Sequence, residues 1–495
     1  MEDFDSKRGG AIEERVLFVD GNYQPVIADG AIEVISPYSR ECVYRQAECG
    51  SKEVAGAVAS ARNALENWQK LGPAARRDIL IALAEGIQAN AGELAEFDSE
   101  DMGKPIATAG QDPHIASGFI RYYAEMIDKI HQGQIAPSGD SVVEFQIMKP
   151  RGVVATITPW NFPVINVGMK IGPALAAGNC VIVKPSELSP RSALRIAAIA
   201  IEAGLPPGVL NVVPGGSSTG DALVRHPGVD MVAFTGSTST GKKLMSAVGD
   251  STLKPLLLEC GGKSPEIVFD EFQAEELGQI AEQVVRGALF NQGQVCVART
   301  RILIEHSVYE TFVEKMSQVA ESIQPHDPRD ASCIFGPLAS ARQRRMVEGY
   351  IEGALETGAT LALDGRLEQP NDGALLGPTI ICDAPRDSAI STEEVFGPVL
   401  TLFSFSDEDD AISLANATSY GLAATIWTRN VVRAHRVSNA LDIGKVKVST
   451  SPGSAEGAMF AHSAEPAGQS GFGVEGGQHG MLSYMRRQSI EMVMP

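Results

Sequence analysis

From Ser51 to Lys70 the apolar residues Val54, Val58, Ala61, Leu65 and Trp68 recur at helical spacing, and further amphipathic stretches run on to about Ile130. Upstream, residues 16–22 read as a short strand ending in the Asp20-Gly21 turn, and residues 34–44 hold a Pro37 turn between two more extended pieces. These short strands predict an edge layer. Around residues 132–150 the pattern changes to a Gly/Ser/Pro turn flanked by extended residues 134–137 and 141–148, which predicts a hairpin. Between Arg151 and Gly262 the apolar strands 153–157, 180–183, 209–213, 231–234 and 255–258 alternate with helical segments. That alternation predicts a parallel α/β sheet of Rossmann type. From Pro265 it resumes with strands at 266–269, 301–304, 379–381, 399–405, 423–427 and 445–448, predicting a second α/β domain. The expected division is 1–131 with 150–260, then 261–477, with 132–149 and 478–495 outside both.

At 495 residues, two or more domains are expected, and 44% hydrophobic with 21% charged residues is an ordinary globular balance. A formal charge of −20, from 61 acidic against 41 basic residues, opposes binding to nucleic acid or to an anionic membrane. Residues 1–14 are polar and mixed in charge, and the most apolar helical stretch, 192–204, is interrupted by Arg195 and Glu202 and is too short to span a bilayer. Seven dispersed cysteines without a C-x-x-C pair read as reduced thiols. The expected location is the cytoplasm.

Four stretches carry candidate chemistry. Cys296 closes the run Phe290-Asn291-Gln292-Gly293-Gln294-Val295-Cys296, after a polar turn and before an expected strand at 298–305. An isolated cysteine among apolar neighbours is usually inert packing, so its company has to decide its role. Gly236-Ser-Thr-Ser-Thr-Gly241-Lys242 follows the 231–234 strand and opens a helix, where phosphates bind. Lys243 stands where a triphosphatase loop needs a hydroxyl for magnesium, which excludes that class, while the glycines alone also fit a plain tight turn. Asn161, in Thr158-Pro-Trp-Asn-Phe-Pro163, is open to two roles, helix N-cap or amide donor. Glu259 ends an apolar strand, where desolvation raises a carboxyl pKa and suits it to general-base work. No tyrosine is followed by lysine four positions on, and the eight histidines form neither H-E-x-x-H nor a Cys/His cluster, so short-chain and zinc dehydrogenase chemistry do not fit and no metal is expected.

Taken together, and in this order, these motifs resemble the NAD(P)-dependent aldehyde dehydrogenases of the non-acylating, hydrolytic type, over about residues 16–492. The resemblance implies an NAD-binding domain at 1–131 and 150–260, a catalytic domain at 261–477, and oligomerisation elements at 132–149 and 478–495. It implies Cys296 as nucleophile, Asn161 with the Cys296 N–H as oxyanion donors, Glu259 as the base that activates water against the thioester, and Lys170 with Glu475 as a proton-relay pair. The cofactor would meet Thr158, Pro159, Trp160, Lys184, Glu187, Gly216, Phe234, Gly236, Ser237, Glu394 and Phe396. A carboxylate at Glu187 accepts from a ribose diol and repels a 2′-phosphate, so NAD is expected over NADP. Phe162, Asn166, Met169, Val295 and Val297 would line a mostly apolar tunnel without arginine, which points to a medium-sized apolar or aromatic aldehyde. The partners expected are that small aldehyde and further copies of the chain, as a homodimer or homotetramer.

Departures from the family pattern concern the substrate. Glu259-Cys260-Gly261-Gly262 stands for Glu-Leu-Gly-Gly, placing a second, oxidation-prone thiol near the nicotinamide. Val446-Lys447-Val448-Ser449 stands for Val-Trp-Val-Asn, and Glu465-Pro466-Ala467-Gly468 for Pro-Phe-Gly-Gly. With His462 and the small-residue loop beginning at Ser449, Lys447 leaves open a cationic entrance for an acid-bearing semialdehyde. Two other readings are weighed: a non-catalytic, ligand-binding member of the fold, against which the joint presence of Asn161, Glu259 and Cys296 speaks, and a coenzyme A acylating enzyme, against which Glu259 speaks.

Overall fold

The computed structural model describes residues 15–26, 30–130, 141–370, 372–453 and 459–494. Two sheets organise them. The first has eight strands in the order Asn22–Pro25, Val16–Val19, Leu210–Val212, Cys180–Lys184, Val153–Ile157, Met231–Thr235, Leu256–Glu259 and Gly471–Phe472. Its five central strands run parallel, while Val16–Val19 and Gly471–Phe472 pair antiparallel at either side. Val153–Ile157 and Cys180–Lys184 are buried along their whole length, because helices cover both faces; hence their continuous apolar runs. The strand order reverses on either side of Val153–Ile157, and a crevice opens beyond the carboxyl ends at such a switch point.

The second sheet has seven strands, ordered Thr360–Leu363, Thr379–Cys382, Val399–Phe405, Arg301–Glu305, Pro265–Val268, Ala423–Trp427 and Lys445–Ser449, all parallel except the first pair. Each sheet has its own buried cluster, centred on residues such as Val154, Ile182 and Val232 in the first and Ile267, Leu303 and Phe403 in the second. The short strand Gly471–Phe472, from inside the expected 261–477 unit, returns to the edge of the first sheet. Ser51–Lys70 is one helix with the expected apolar face buried. Among the described residues no helix is long and apolar enough to cross a membrane.

One expectation is only partly within the described residues, and another is corrected. Val142–Pro150 is a strand that pairs along all nine residues with Met485–Val493, and the other arm of the expected hairpin, 134–137, lies outside the described residues. The residue before the tail strand, Tyr484, accepts from Arg151 N–H through its carbonyl, which fixes the register where the ribbon leaves the body. The strand expected at 298–305 is confined to Arg301–Glu305. Residues 294–300 are turns instead, closed by Ala298 N–H to Val295 O and Thr300 N–H to Ala298 O, each 3.0 Å, so no ladder can form there.

Candidate active site

Glu259 ends the last parallel strand of the first sheet, and residues 260–264 lead from it to Pro265, the start of a strand in the second. Cys296 sits against this link. A Cβ built on Gly262 would lie 2.5 Å from the Cys296 carbonyl oxygen, so only glycine permits the approach. The turn before the cysteine holds three consecutive residues in the left-handed region: Asn291 at φ 49°, Gln292 at 57° and Gly293 at 70°. For the two non-glycine residues that conformation costs about 1–2 kcal/mol each, a strain of the kind that clusters at functional sites.

Hydrogen bonds across this turn hold Asn161. Its Nδ2 donates to Gln294 O at 2.8 Å, and Asn291 Nδ2 donates to Asn161 O at 2.9 Å. The Ncap of helix Pro163–Ala176 is Phe162, so the capping role open to Asn161 is excluded. An amide nitrogen carries two hydrogens, and one remains for a developing oxyanion. Gln294, to which the sequence motif alone assigns no role, is buried and accepts from Ala339 N–H through Oε1 at 2.9 Å.

Burial holds the Glu259 carboxyl well above the usual range; Glu475 and Glu465 push it further up, and Lys170 pulls it down. Lys170 and Glu475 form an ion pair in which the ammonium is wholly buried. Cys296 is partly exposed as a residue, yet burial of its thiol, with the charges of Glu394 and Glu259, pushes its pKa up to about 12; the N–H groups of Val297 and Cys296 itself work the other way. Cys296 is therefore held as a thiol here, and loss of its proton has to be coupled to attack.

The remaining candidates lie along the switch-point crevice. Thr158 N–H donates to Lys184 O at 3.1 Å, which ties the two strand ends together, and Pro159 and Trp160 are partly exposed beyond it. Trp160 meets Phe396 edge-on at 5.3 Å between centroids. Phe396 has φ 55°, and Gln343 Nε2 donates to its carbonyl at 2.8 Å, a further contact that the sequence did not disclose. Glu394 accepts from Gly262 N–H at 3.0 Å; burial raises its pKa to about 7, against that hydrogen bond and Lys263. Lys184 is buried, 3.6 Å from the half-exposed Glu187 carboxylate. Gly236 N–H donates to Glu259 O at 3.0 Å, and Phe234 packs beside that glycine. Ser237 caps helix Thr238–Gly249, accepting from Thr240 N–H, and Gly216 is the Ncap of helix Ser217–Arg225. A dinucleotide fits this crevice: Thr235 Oγ1 is buried without a partner, and the Glu187 carboxylate is accessible to a diol.

Comparison with known proteins gives a match of residues 26–490 to the model of the aldehyde dehydrogenase family. The chain belongs to the aldehyde dehydrogenase family. It is 43% identical over 446 residues to the NADP/NAD-dependent aldehyde dehydrogenase PuuC of Escherichia coli (strain K12), covering 89% of this chain and 88% of that one. It is 36% identical over 489 residues to the chloroplastic betaine aldehyde dehydrogenase of Amaranthus hypochondriacus, covering 97% and 96%. Among solved structures it resembles an indole-3-acetaldehyde dehydrogenase complexed with NAD+, with a TM-score of 0.93, 37% identity and 97% of each chain covered.

The tunnel candidates of this aldehyde dehydrogenase surround the start of helix Pro163–Ala176. Phe162, Met169, Val295 and Val297 are partly exposed, and the buried Asn166 donates through Nδ2 to Phe162 O at 3.0 Å. The Phe162 ring stacks with Phe290 at 6.0 Å between centroids, and the buried Lys104 ammonium, ion-paired with Asp112, lies 3.8 Å from the Phe162 centroid. Phe460 meets Phe119 edge-on at 5.0 Å. Lys447 is half-buried and His462 exposed, while residues 454–458 of the entrance loop lie outside the described residues. The expectation for Cys260 is corrected: its thiol is buried against Gly241 and pushed up to about 11, chiefly by burial, which disfavours oxidation.

Proposed function

We propose that this aldehyde dehydrogenase oxidises a medium-sized apolar or aromatic aldehyde to the carboxylic acid, with NAD favoured over NADP. The observation that carries the reading is the Asn161 to Gln294 hydrogen bond, which joins the donor amide to the turn two residues before Cys296. Cys296 adds to the aldehyde carbon as its proton passes to solvent, which the partly exposed residue can reach, and the charge that develops on the aldehyde oxygen is met by Asn161 Nδ2 and the Cys296 N–H. Bound NAD supplies the acceptor for the hydride that the adduct gives up. Lys184, Glu187, Ser237, Glu394, Trp160 and Phe396 would hold it. Glu259 then takes a proton from the water that hydrolyses the thioester, a task its raised pKa suits. Lys170 and Glu475 relay that proton.

The substrate class rests on the stacked Phe162 and Phe290 rings and on the 37%-identical neighbour whose name specifies indole-3-acetaldehyde. A second reading, an acid-bearing semialdehyde, is favoured by the half-buried Lys447. The test is kcat/KM for benzaldehyde, medium aliphatic aldehydes and succinic semialdehyde with NAD and with NADP. The aromatic and aliphatic substrates are expected to lead; a clear win for the semialdehyde would transfer specificity to the entrance. Loss of NADH formation in Cys296→Ser checks the nucleophile, and insensitivity to coenzyme A checks hydrolysis.

Assembly and location belong to the same reading. Among the described residues the ribbon of Val142–Pro150 with Met485–Val493 pairs with no other strand, and Met492 and Val493 are exposed. Two-stranded ribbons are marginal alone, so a homodimer or homotetramer that covers this one is proposed, in the cytoplasm.

A further inference from the structure

Strands Cys180–Lys184 and Leu210–Val212 are parallel neighbours, so the loops that follow them, with Glu187 and Gly216, lie side by side at the carboxyl edge of the sheet. The segment that leaves strand Cys42–Ala47 is stitched to both. Gln46 Nε2 donates to Glu187 O at 2.5 Å. Three residues on, Cys49 N–H donates to Pro214 O at 3.2 Å, and Thr219 Oγ1 donates to Cys49 O at 2.5 Å. Between these anchors stands Glu48, partly exposed. Its Oε1 accepts from Ser218 Oγ at 3.0 Å and lies 3.5 Å from the position a Cβ on Gly216 would take.

We infer that Glu48 is a second carboxylate that selects against a 2′-phosphate, acting from the Gly216 side of the adenosine pocket while Glu187 acts from the other. The inference rests on the reading that Glu187 and Gly216 hold the adenosine end of NAD. The free N–H groups at the start of helix Ser217–Arg225 would welcome a phosphate, and Glu48 places a negative charge there first. Glu187 is already engaged by Lys184, the buried cation beside it, so its repulsion is partly offset, whereas Glu48 has only the neutral Ser218 hydroxyl as hydrogen-bond donor among the described contacts.

The experiment is equilibrium binding of NADH and NADPH, followed by nicotinamide fluorescence, in the full-length wild type and in Glu48→Gln, Glu48→Ser and Glu187→Gln. Glu48→Gln keeps the shape and an acceptor for Ser218 while removing the charge. The ratio of Kd for NADPH to Kd for NADH is expected to fall about fivefold in both Glu48 variants at low salt, and the gain should shrink as ionic strength rises. A ratio that moves in Glu187→Gln but not in either Glu48 variant overturns the inference and leaves the NAD reading standing. A ratio that moves in none of the three overturns both, because the adenosine then binds elsewhere.

Discussion

The charges around Glu259 predict two pH shifts of opposite sign. Glu475 raises its pKa and Lys170 lowers it, while the two are paired with each other. Glu475→Gln removes the raising charge and frees the full effect of the ammonium, so the Glu259 pKa falls. Lys170→Met removes the lowering charge, so it rises. A unit charge about 6 Å away in an effective dielectric of about 20 contributes about 3 kcal/mol, or about two pKa units. Relaxation and water entry reduce that, and a shift of about one unit in each direction is expected. Glu259 must be ionised to accept a proton from water, so the hydrolytic step gains with pH until its pKa is passed. The acid limb of kcat therefore moves to lower pH in Glu475→Gln and to higher pH in Lys170→Met, and below both pKa values the second variant turns over about tenfold more slowly than the wild type. The assay is kcat from about pH 5 to pH 10 beside stopped-flow NADH bursts, because the burst reports the first half-reaction and the steady state the second. The burst should survive in both variants and in Glu259→Gln. Limbs that move in the same direction, or not at all, would refute the charge argument. A burst lost in step with turnover would move Glu259 into the cysteine step. Each variant also leaves one member of a buried pair uncompensated, at a cost of about 3–5 kcal/mol in stability, so thermal midpoints must be followed in parallel.

Three further outcomes are expected. Asn161→Ala removes an oxyanion donor and should lower kcat by about 10²–10³-fold, whereas a purely structural asparagine would change the active fraction and not the turnover of active sites. In Gly261→Ala the new Cβ would lie 2.2 Å from Glu394 Oε2, so the carboxylate must swing away from Gly262 N–H, and KM for NAD should rise about tenfold while a KM for NAD within twofold of the wild type would clear Glu394 of the cofactor role. Deleting the chain from Met485 onward should convert an oligomer into smaller species by light scattering; a wild-type chain that is monomeric at micromolar concentration would sink the assembly proposal.

Sequence alone determined the elements with strong periodicity. The Ser51–Lys70 helix and the strands Val153–Ile157, Val399–Phe405 and Ala423–Trp427 form at the expected residues, because burial on both sheet faces or along one helix stripe leaves an unmistakable apolar pattern. The motif residues were legible too, since their types stand in short contiguous runs. Pairing between distant segments was not. The Val142–Pro150 strand carries nothing that names Met485–Val493 as its partner, as backbone hydrogen bonds are indifferent to side-chain identity and a local turn is an equally good guess. The 298–305 run reads as one strand, but only Arg301–Glu305 joins the sheet, while Ala298 N–H closes the turn that contains Cys296 by donating to Val295 O. The three left-handed residues before it, the clasp of Gln343 on Phe396 and the packing of Lys104 under Phe162 follow from where separate segments meet. Protonation was decided there as well. Cys296 is a thiol and Glu259 a raised acid because burial and neighbouring carboxylates from other parts of the chain converge on them, and no stretch of sequence records how much water is left around a group once the chain has closed over it.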